Sequence, residues 1–358
     1  MDKLYAAHGT DAAALTRELL ELMQPEKGLN TGASIALKPN LVVAKDWRSG
    51  ATTNPAVCAA VIEYFQSRGY KNISIIESAW LGEDTQRAFR VCGYEDLRKR
   101  YGVELVDVKR DKYSLCEYDG IKAEVSQRAL QADFLINLPL IKGHCQTKLT
   151  CALKNMKGLI SDKDKRRFHT MGLHQPIACL NRMIAPHLTI ADGTCADPGF
   201  EEGGSPVCLN TVIAGTDSVL IDAFAAGLLG LKPKDIGYIG IAQRFCAGSA
   251  DLKHAEIVHL GEGGVTPADS RNDALERAKA YINATDTCSA CYANLLSALM
   301  RLGPLEDGLQ ISAGQGFKDK TGQLGSGSCT AGFDHCIRGC PPRADQIYDT
   351  LIKLRRGQ

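Results

Sequence analysis

Five cysteines lie between Cys288 and the last residue of the chain: Cys288, Cys291, Cys329, Cys336 and Cys340. Cys288-Ser-Ala-Cys291 opens a segment in which Leu295, Leu296, Leu299 and Leu302 recur at helical spacing. The pair is therefore expected at a helix N-terminus, where free backbone N–H groups and the helix dipole favour thiolates. Downstream, Gly327-Ser328-Cys329 and Gly339-Cys340-Pro341-Pro342 set glycines beside cysteines, which lets backbone approach a bulky group closely. A cysteine followed by proline also ends ferredoxin-type runs.

Four thiolates serve either an iron–sulfur cluster or a zinc ion. Zinc ribbons use two close CxxC pairs, and the second half of this set is widely spaced. The spacing predicts one iron–sulfur cluster of the 4Fe-4S type on Cys288, Cys291, Cys329 and Cys340, with zinc or metal-free redox thiols as alternatives. Cys336, between His335 and Ile337, is read as the spare because Cys340 directly follows a glycine and Cys329 lies two residues after one. His335 is read as a surface histidine.

A second chemical block spans residues 142–174 and carries Lys142, His144, Lys148, Lys154, Lys157, Lys163, Lys165, Arg166, Arg167, His169 and His174, opposed by Asp162 and Asp164. It follows the apolar run Phe134–Ile141, and ligands in open α/β sheets bind beyond the carboxyl ends of strands. Lys142, His144, Lys154 and Lys157 are the candidate site for a small anion such as phosphate or carboxylate, with His144 as acid or base and crowding lowering a lysine's pKa. A solvated basic helix is the competing reading. Lys163–Arg167 is read as a solvated loop, and Glu201-Glu202-Gly203-Gly204 as a flexible acidic loop.

These groups need a scaffold. The chain has 358 residues, 44% apolar and 23% charged, ordinary for a globular protein that needs no disulfides to fold. A net charge of +1 gives no general reason to expect nucleic acid or membrane as a partner. The N-terminal segment lacks the apolar run of a secretory signal, and no stretch approaches the length of a membrane span. A cytoplasmic location is expected. In that reducing setting the remaining cysteines, Cys58, Cys92, Cys116, Cys145, Cys151, Cys179, Cys195, Cys208 and Cys246, read mostly as small buried hydrophobes.

Expected elements alternate. Leu15, Leu19, Leu22 and Met23 mark a first helix. Ala33–Asn40 reads as a strand ending in Lys38-Pro39-Asn40. Thr53-Asn54-Pro55 starts a helix that Gly69 stops. Asn72–Ser78, Val103–Val108, Phe134–Ile141, Leu188–Ala191, Val207–Ala214 and Glu256–Leu260 read as strands. Arg87–Lys99, Thr147–Leu159, His174–Ile184 and Ser218–Leu229 read as helices, and Tyr118-Asp119-Gly120 as a hairpin turn. Asp217 is expected to cap its helix, and Asp192-Gly193-Thr194 to form a turn. The predicted class is α/β: a mainly parallel sheet with helices on both faces, plus a smaller C-terminal cysteine-rich module. The Gly/Pro-rich segment from Gly261 to Asn272 is the expected boundary, giving residues 1–262 and 263–358. No dinucleotide fingerprint, P-loop or serine-nucleophile elbow is present.

Lys38-Pro39-Asn40, Thr53-Asn54-Pro55, Lys142 with His144 and Thr147, Leu153-Lys154-Asn155 with Gly158, Asp192-Gly193, and Asp217 through Asp222 together resemble the family catalogued as domain of unknown function three-six-two, over roughly residues 33–260. The resemblance implies association with iron–sulfur modules. The chain lacks the tight cysteine runs of a two-cluster ferredoxin, which favours a single cluster. The expected function is an iron–sulfur oxidoreductase acting on a small anionic substrate, its cluster next to the Lys/His site and served by a redox partner protein. A non-catalytic electron carrier or assembly factor, and a zinc-stabilised anion-binding protein, are the alternatives.

Overall fold

The computed structural model describes residues 3–261, 273–305 and 308–355. It divides into two compact units, Met1–Ala268 and Asp269–Gln358. The expected boundary segment lies almost wholly outside the described residues.

The first unit is built on one eight-stranded sheet. Its strands run in the order Glu256–Leu260, Lys3–His8, Thr211–Gly215, Leu188–Asp192, Phe134–Leu138, Ile35–Pro39, Ile73–Glu77, Glu104–Asp107. Thr211–Gly215 is antiparallel to both its neighbours, and every other pairing is parallel. Successive side chains enter opposite faces: Ile35 and Leu37 join one core with Val61, Phe65 and Leu19, while Ala36 joins the other with Leu153, Ile177 and Ile221. Two apolar cores, one on each face, are the physical content of an α/β sheet covered on both sides. With the cysteine-rich second unit, this is the architecture the element order predicts.

Local signals place the helices. Asn54 accepts the Ala56 N–H and Pro55 fills the first turn of Pro55–Ser67. Asp217 accepts the Val219 and Leu220 N–H groups of Ser218–Leu228, and the Ser249 N–H as well. Asp119 and Gly120 take left-handed conformations in the turn joining Tyr113–Tyr118 to Ile121–Ser126.

Several elements differ from expectation. Lys3–His8, before the first helix, is a strand inside the sheet. Arg87–Lys99 is two helices, Thr85–Val91 and Tyr94–Tyr101, split at Gly93. Val207 pairs with Ala196 outside the sheet, and only Thr211–Gly215 enters it. Thr147–Leu159 is not one helix. Lys148–Thr150 folds back on Lys142–His144 as a hairpin, and the helix starts at Ala152. The cause is Asp222, buried beneath, which accepts the Ala152 and Leu153 N–H groups and fixes the helix start there. Lys163–Arg167 is helical too, within Asp162–Met171, capped by Ser161.

The second unit has a parallel sheet of four three-residue strands, Ile282–Ala284, Ile311–Ala313, Leu324–Ser326 and His335–Ile337. Helix Ser289–Leu302 packs on Ala344–Arg355, and Leu295, Leu296, Leu299, Ile347 and Leu351 of the two helices are buried.

Replacing Asp217 by alanine removes a buried-end cap. We expect a loss of about 1–2 kcal/mol, read as a lower urea midpoint at unchanged slope. Tryptophan fluorescence reports it, since Trp47 and Trp80 both belong to the first unit.

Candidate functional site

In the first unit the carboxyl ends of the strands carry a buried polar network. Lys38, fully buried, donates to Glu77 Oε2 at 2.8 Å, to the Pro39 carbonyl at 2.7 Å and to Asn155 Oδ1 at 3.3 Å. Glu77 also accepts the Leu41 and Ser78 N–H groups. Asn155 bonds Asn40, Asn137 and the Lys38 carbonyl. Lys142, 1% exposed, donates to Asn40 Oδ1 at 2.9 Å and to the Ala51 carbonyl. Asp192 accepts from Asn54 N–H and from Thr194 N–H and hydroxyl. Gly158 is required here, because a Cβ would overlap Glu77 and Lys38.

Above this floor lies a denser group. His144 is buried, and its Nδ1 accepts the N–H groups of Gln146 at 3.0 Å and Thr147 at 3.2 Å. Its proton therefore sits on Nε2, which lies 3.6 Å from Glu201 Oε1. Cys145 donates through Sγ to Glu201 Oε1 at 3.3 Å and through its backbone to Glu201 Oε2 at 3.2 Å. Lys157 Nζ lies 3.0 Å from His169 Nε2, and His169 Nδ1 lies 3.0 Å from Gln146 Oε1. The glutamine oxygen can only accept, so His169 is protonated on Nδ1 and takes the Lys157 hydrogen bond on Nε2. Lys154 donates to Thr150 Oγ1 at 3.1 Å.

The structure thus brings Lys142, His144, Lys154 and Lys157 into one electrostatic neighbourhood. Burial first, then the charges of Lys154, Lys157, His169 and Lys142, holds His144 far below the usual imidazole range. Burial and the Lys154 charge bring Lys142 down to about 7. Burial lowers Lys154 to about 8 against the pull of Glu201 and Cys145. Lys157 is pushed well down by burial and then by Lys154 and Lys165. His169 falls to about 2 by burial and the same two lysines, Lys157 and Lys154. His144 is accordingly a neutral Nε2–H donor rather than a base poised near neutrality. His144 and Lys148 face each other across a hairpin, not along a helix.

Glu201 is the site member the sequence hides. It was expected in a flexible acidic loop and is 4% exposed. The loop is pinned because Asp197 accepts the Gly199, Phe200 and Ser205 N–H groups. Gly143 packs backbone against backbone on Pro198, where a Cβ would overlap the Pro198 carbonyl. Gly203, at φ +70, lies against Ser49 and Ala51. Cys145, Gln146 and His169 were present in the basic block but carried no spacing signal of their own. Lys165 is buried on Ser78 and Ala79, with its pKa down to about 8 by burial.

His144, Cys145 and Glu201 place ligand-type atoms within 4.8 Å of one another. Their residue types suit a transition metal. A cation on His144 Nε2, however, requires the proton to move to Nδ1, against two backbone N–H donors. The surrounding lysines favour an anion.

In the second unit, Cys288 is the N-cap of Ser289–Leu302 and Cys291 lies in its first turn. Cys291 Sγ lies 3.5 Å from where a Cβ on Gly327 would stand. Gly327 N–H bonds the Ile337 carbonyl and Ser328 N–H bonds the Gly339 carbonyl, tying the Cys329 loop to the Cys340 loop. Hydrogen bonds from Cys291 and from helix N–H groups hold the Cys288 thiol below the usual thiol range. Cys291 is raised by Cys288, by burial, and by the charges of Cys340 and Cys329. Cys336 Sγ lies 3.6 Å from Thr330 Oγ1 and 3.7 Å from the Gly327 carbonyl.

Fold and site define a two-unit α/β protein that carries metal-capable thiol and imidazole groups. The chain belongs to the family described as Domain of unknown function (DUF362), whose model matches residues 35–227. A curated relative, the thylakoid-associated protein sll1697 of Synechocystis sp., is 26% identical over 252 residues, covering 67% of this chain and 78% of the relative. The lactate racemase apoprotein from Thermoanaerobacterium thermosaccharolyticum aligns with a TM-score of 0.43 at 11% identity. That alignment covers 63% of this chain and 57% of that one, so it spans less than two thirds of the racemase. No helix among the described residues is long and apolar enough to cross a membrane.

Lys142 gives a pH signature. Its folded pKa, about 7, lies below its ordinary 10.5, so between these values the unfolded chain binds the extra proton and stability rises with pH. Relative to Lys142→Met, the wild type should gain stability from pH 7 upward by at most about 1.4 kcal/mol per unit. Below pH 7 the difference should be flat. Urea unfolding at fixed ionic strength, followed by tryptophan fluorescence, checks it.

Proposed function

We propose that the second unit holds one 4Fe-4S cluster on Cys288, Cys291, Cys329 and Cys340. In this reading the protein is a cytoplasmic iron–sulfur oxidoreductase. Its first unit binds a small anionic substrate through Lys142, His144, Lys154 and Lys157, and a redox partner protein exchanges electrons with the cluster. The observation that carries the reading is the joining of the Cys329 and Cys340 loops by the Ser328–Gly339 hydrogen bond, with Cys291 against Gly327 beside them.

The residues fit such a group. Two thiols sit at a helix N-terminus that favours negative charge, and Gly327 leaves room at Cys291. A single zinc, with Zn–S near 2.3 Å, needs its sulfurs about 3.8 Å apart. Among the described residues, the cysteines of this unit do not form a three-ligand set within 4.8 Å of one another, as His144, Cys145 and Glu201 do. Such a cluster supplies one-electron transfer at a potential set by its surroundings. The exposure of Cys340 favours electron exchange with a protein partner and keeps a non-catalytic carrier as the second reading.

In the first unit, Lys142 and Lys154 titrate near neutrality and supply positive charge, while His144 offers its Nε2–H. Lys157, anchored by His169, orients a further N–H. These four donors suit the oxygens of a phosphate or carboxylate.

Anaerobic purification should give a brown protein with four irons and four sulfides per chain. One zinc and no iron would overturn the cluster. Cys336→Ser should keep full iron, and Cys340→Ser should lose it. For the anion site, titration with inorganic phosphate should show binding that Lys154→Gln weakens about tenfold or more, the loss of one charge-assisted hydrogen bond. Equal affinity in the variant removes Lys154 from the site.

A further inference from the structure

Cys195 and Cys208 lie at the two ends of the segment that delivers Glu201. Ala196 and Val207 exchange both backbone hydrogen bonds, at 2.9 and 2.6 Å, and form an isolated antiparallel bridge. The register of that bridge, continued one step outward, sets Cys195 across from Cys208, and Cys208 is near enough to act electrostatically on Cys195. A hydrogen-bonded pair is flanked by a non-hydrogen-bonded one, in which Cα atoms approach to about 4.5 Å and side chains share a face. Disulfides bridge Cα separations from about 4.4 Å to 6.8 Å. Both thiols are free in this structure.

We propose that Cys195 and Cys208 are a peroxide-responsive thiol pair that closes reversibly into a disulfide at the base of the 196–207 loop.

The two cysteines differ in their access to solvent. Cys208 is exposed, whereas Cys195 is buried and donates to the Arg48 carbonyl at 3.3 Å. Burial, then the nearby Cys208, pushes the Cys195 thiol up to about 11. Hydrogen peroxide meets Cys208 first. Its thiolate takes one peroxide oxygen to become a sulfenic acid, and the other oxygen leaves as hydroxide and picks up the thiol proton as water. Cys195 sulfur then attacks the sulfenic sulfur, the S–S bond forms, and the hydroxyl departs with the Cys195 proton as a second water. Two thiols and one peroxide give one disulfide and two waters. Thiols of the reducing cell restore the pair.

The ring so formed contains Asp197, whose carboxylate organises the loop, and Glu201, which meets His144 and Cys145. Oxidation therefore ties both ends of the segment that places the carboxylate in the Lys/His group.

The test uses the full chain under native conditions. No Lys or Arg lies between Arg182 and Lys232, so the tryptic peptide beginning at Met183 holds these two cysteines and no other. After treatment with hydrogen peroxide and alkylation, that peptide should be lighter by two hydrogens and carry no alkyl group. Cleavage after Glu201 or Glu202 should leave two fragments joined until dithiothreitol separates them. In Cys195→Ser, dimedone should instead trap Cys208 as its sulfenic adduct. Full alkylation of both cysteines after peroxide would overturn the proposal. So would irreversible oxidation of Cys208 beside an alkylatable Cys195. The readout is one peptide of the first unit and is independent of the metal content of the second.

Discussion

The buried ion pair of Lys38 with Glu77 is the constraint around which the first unit is organised. Two charges removed from water cost several kcal/mol each unless every remaining donor and acceptor is satisfied. Here they are satisfied by elements from across the sheet: the Leu41 and Ser78 N–H groups, the Pro39 carbonyl, and Asn155 from the segment after Phe134–Leu138. Asn155 and Asn40 extend the same network to Lys142. A shift of any one strand would strand a buried charge. The network thereby fixes where the carboxyl ends of the strands lie, and those ends carry the chemical groups. Gly158 belongs to the same constraint, since only a residue without a Cβ can pass over the pair.

This accounts for what was legible beforehand. Continuous apolar runs closed by Lys38-Pro39-Asn40 or Asp192-Gly193 read as strands of a covered sheet because parallel strands bury both faces. The Asn54-Pro55 and Asp217 starts were legible because a cap is a local interaction, complete within four residues. What failed was settled by distant partners. The helix after His144 begins late because Asp222, seventy residues away, takes its first N–H groups. Lys3–His8 has no strong pattern of its own and becomes a strand by lying between Glu256–Leu260 and the reversed Thr211–Gly215. Glu201 reads as solvent-exposed by type and is buried by what Asp197 does to its loop. The Lys/His block was legible as a charge cluster but not as a geometry, because its histidines are set by Gln146 and Thr147, residues with no chemical signature in sequence.

The two proposed sites would be encoded in different ways. In the second unit, the cysteines proposed as ligands are announced by type and by neighbouring glycines, and short strands bring the Cys329 and Cys340 loops together through the Ser326–Ile337 pairing and the Ser328–Gly339 bond. In the first, the same residue types would be unremarkable on a surface. They become chemical only because burial has removed the water that would otherwise level their pKa values.

Gln146 carries that argument one step further. Its backbone N–H binds His144 Nδ1 and its side-chain oxygen binds His169 Nδ1. One residue thus sets opposite protonation patterns on two imidazoles, Nε2–H on His144 and a bare Nε2 on His169. The bare nitrogen is occupied by Lys157, and the Nε2 of His144 faces Glu201 Oε1 at 3.6 Å. Neither ring can be protonated further without breaking a hydrogen bond to Gln146 or Lys157, and nearby lysines add a charge penalty to doing so. The imidazoles are therefore fixed in their neutral forms by geometry, and proton exchange near neutrality falls to Lys142 and Lys154. Of these, Lys142 is enclosed by Asn40 and the Ala51 carbonyl while Lys154 is only half-buried. A ligand of the proposed anion site would meet the Lys154 amine before the Lys142 one.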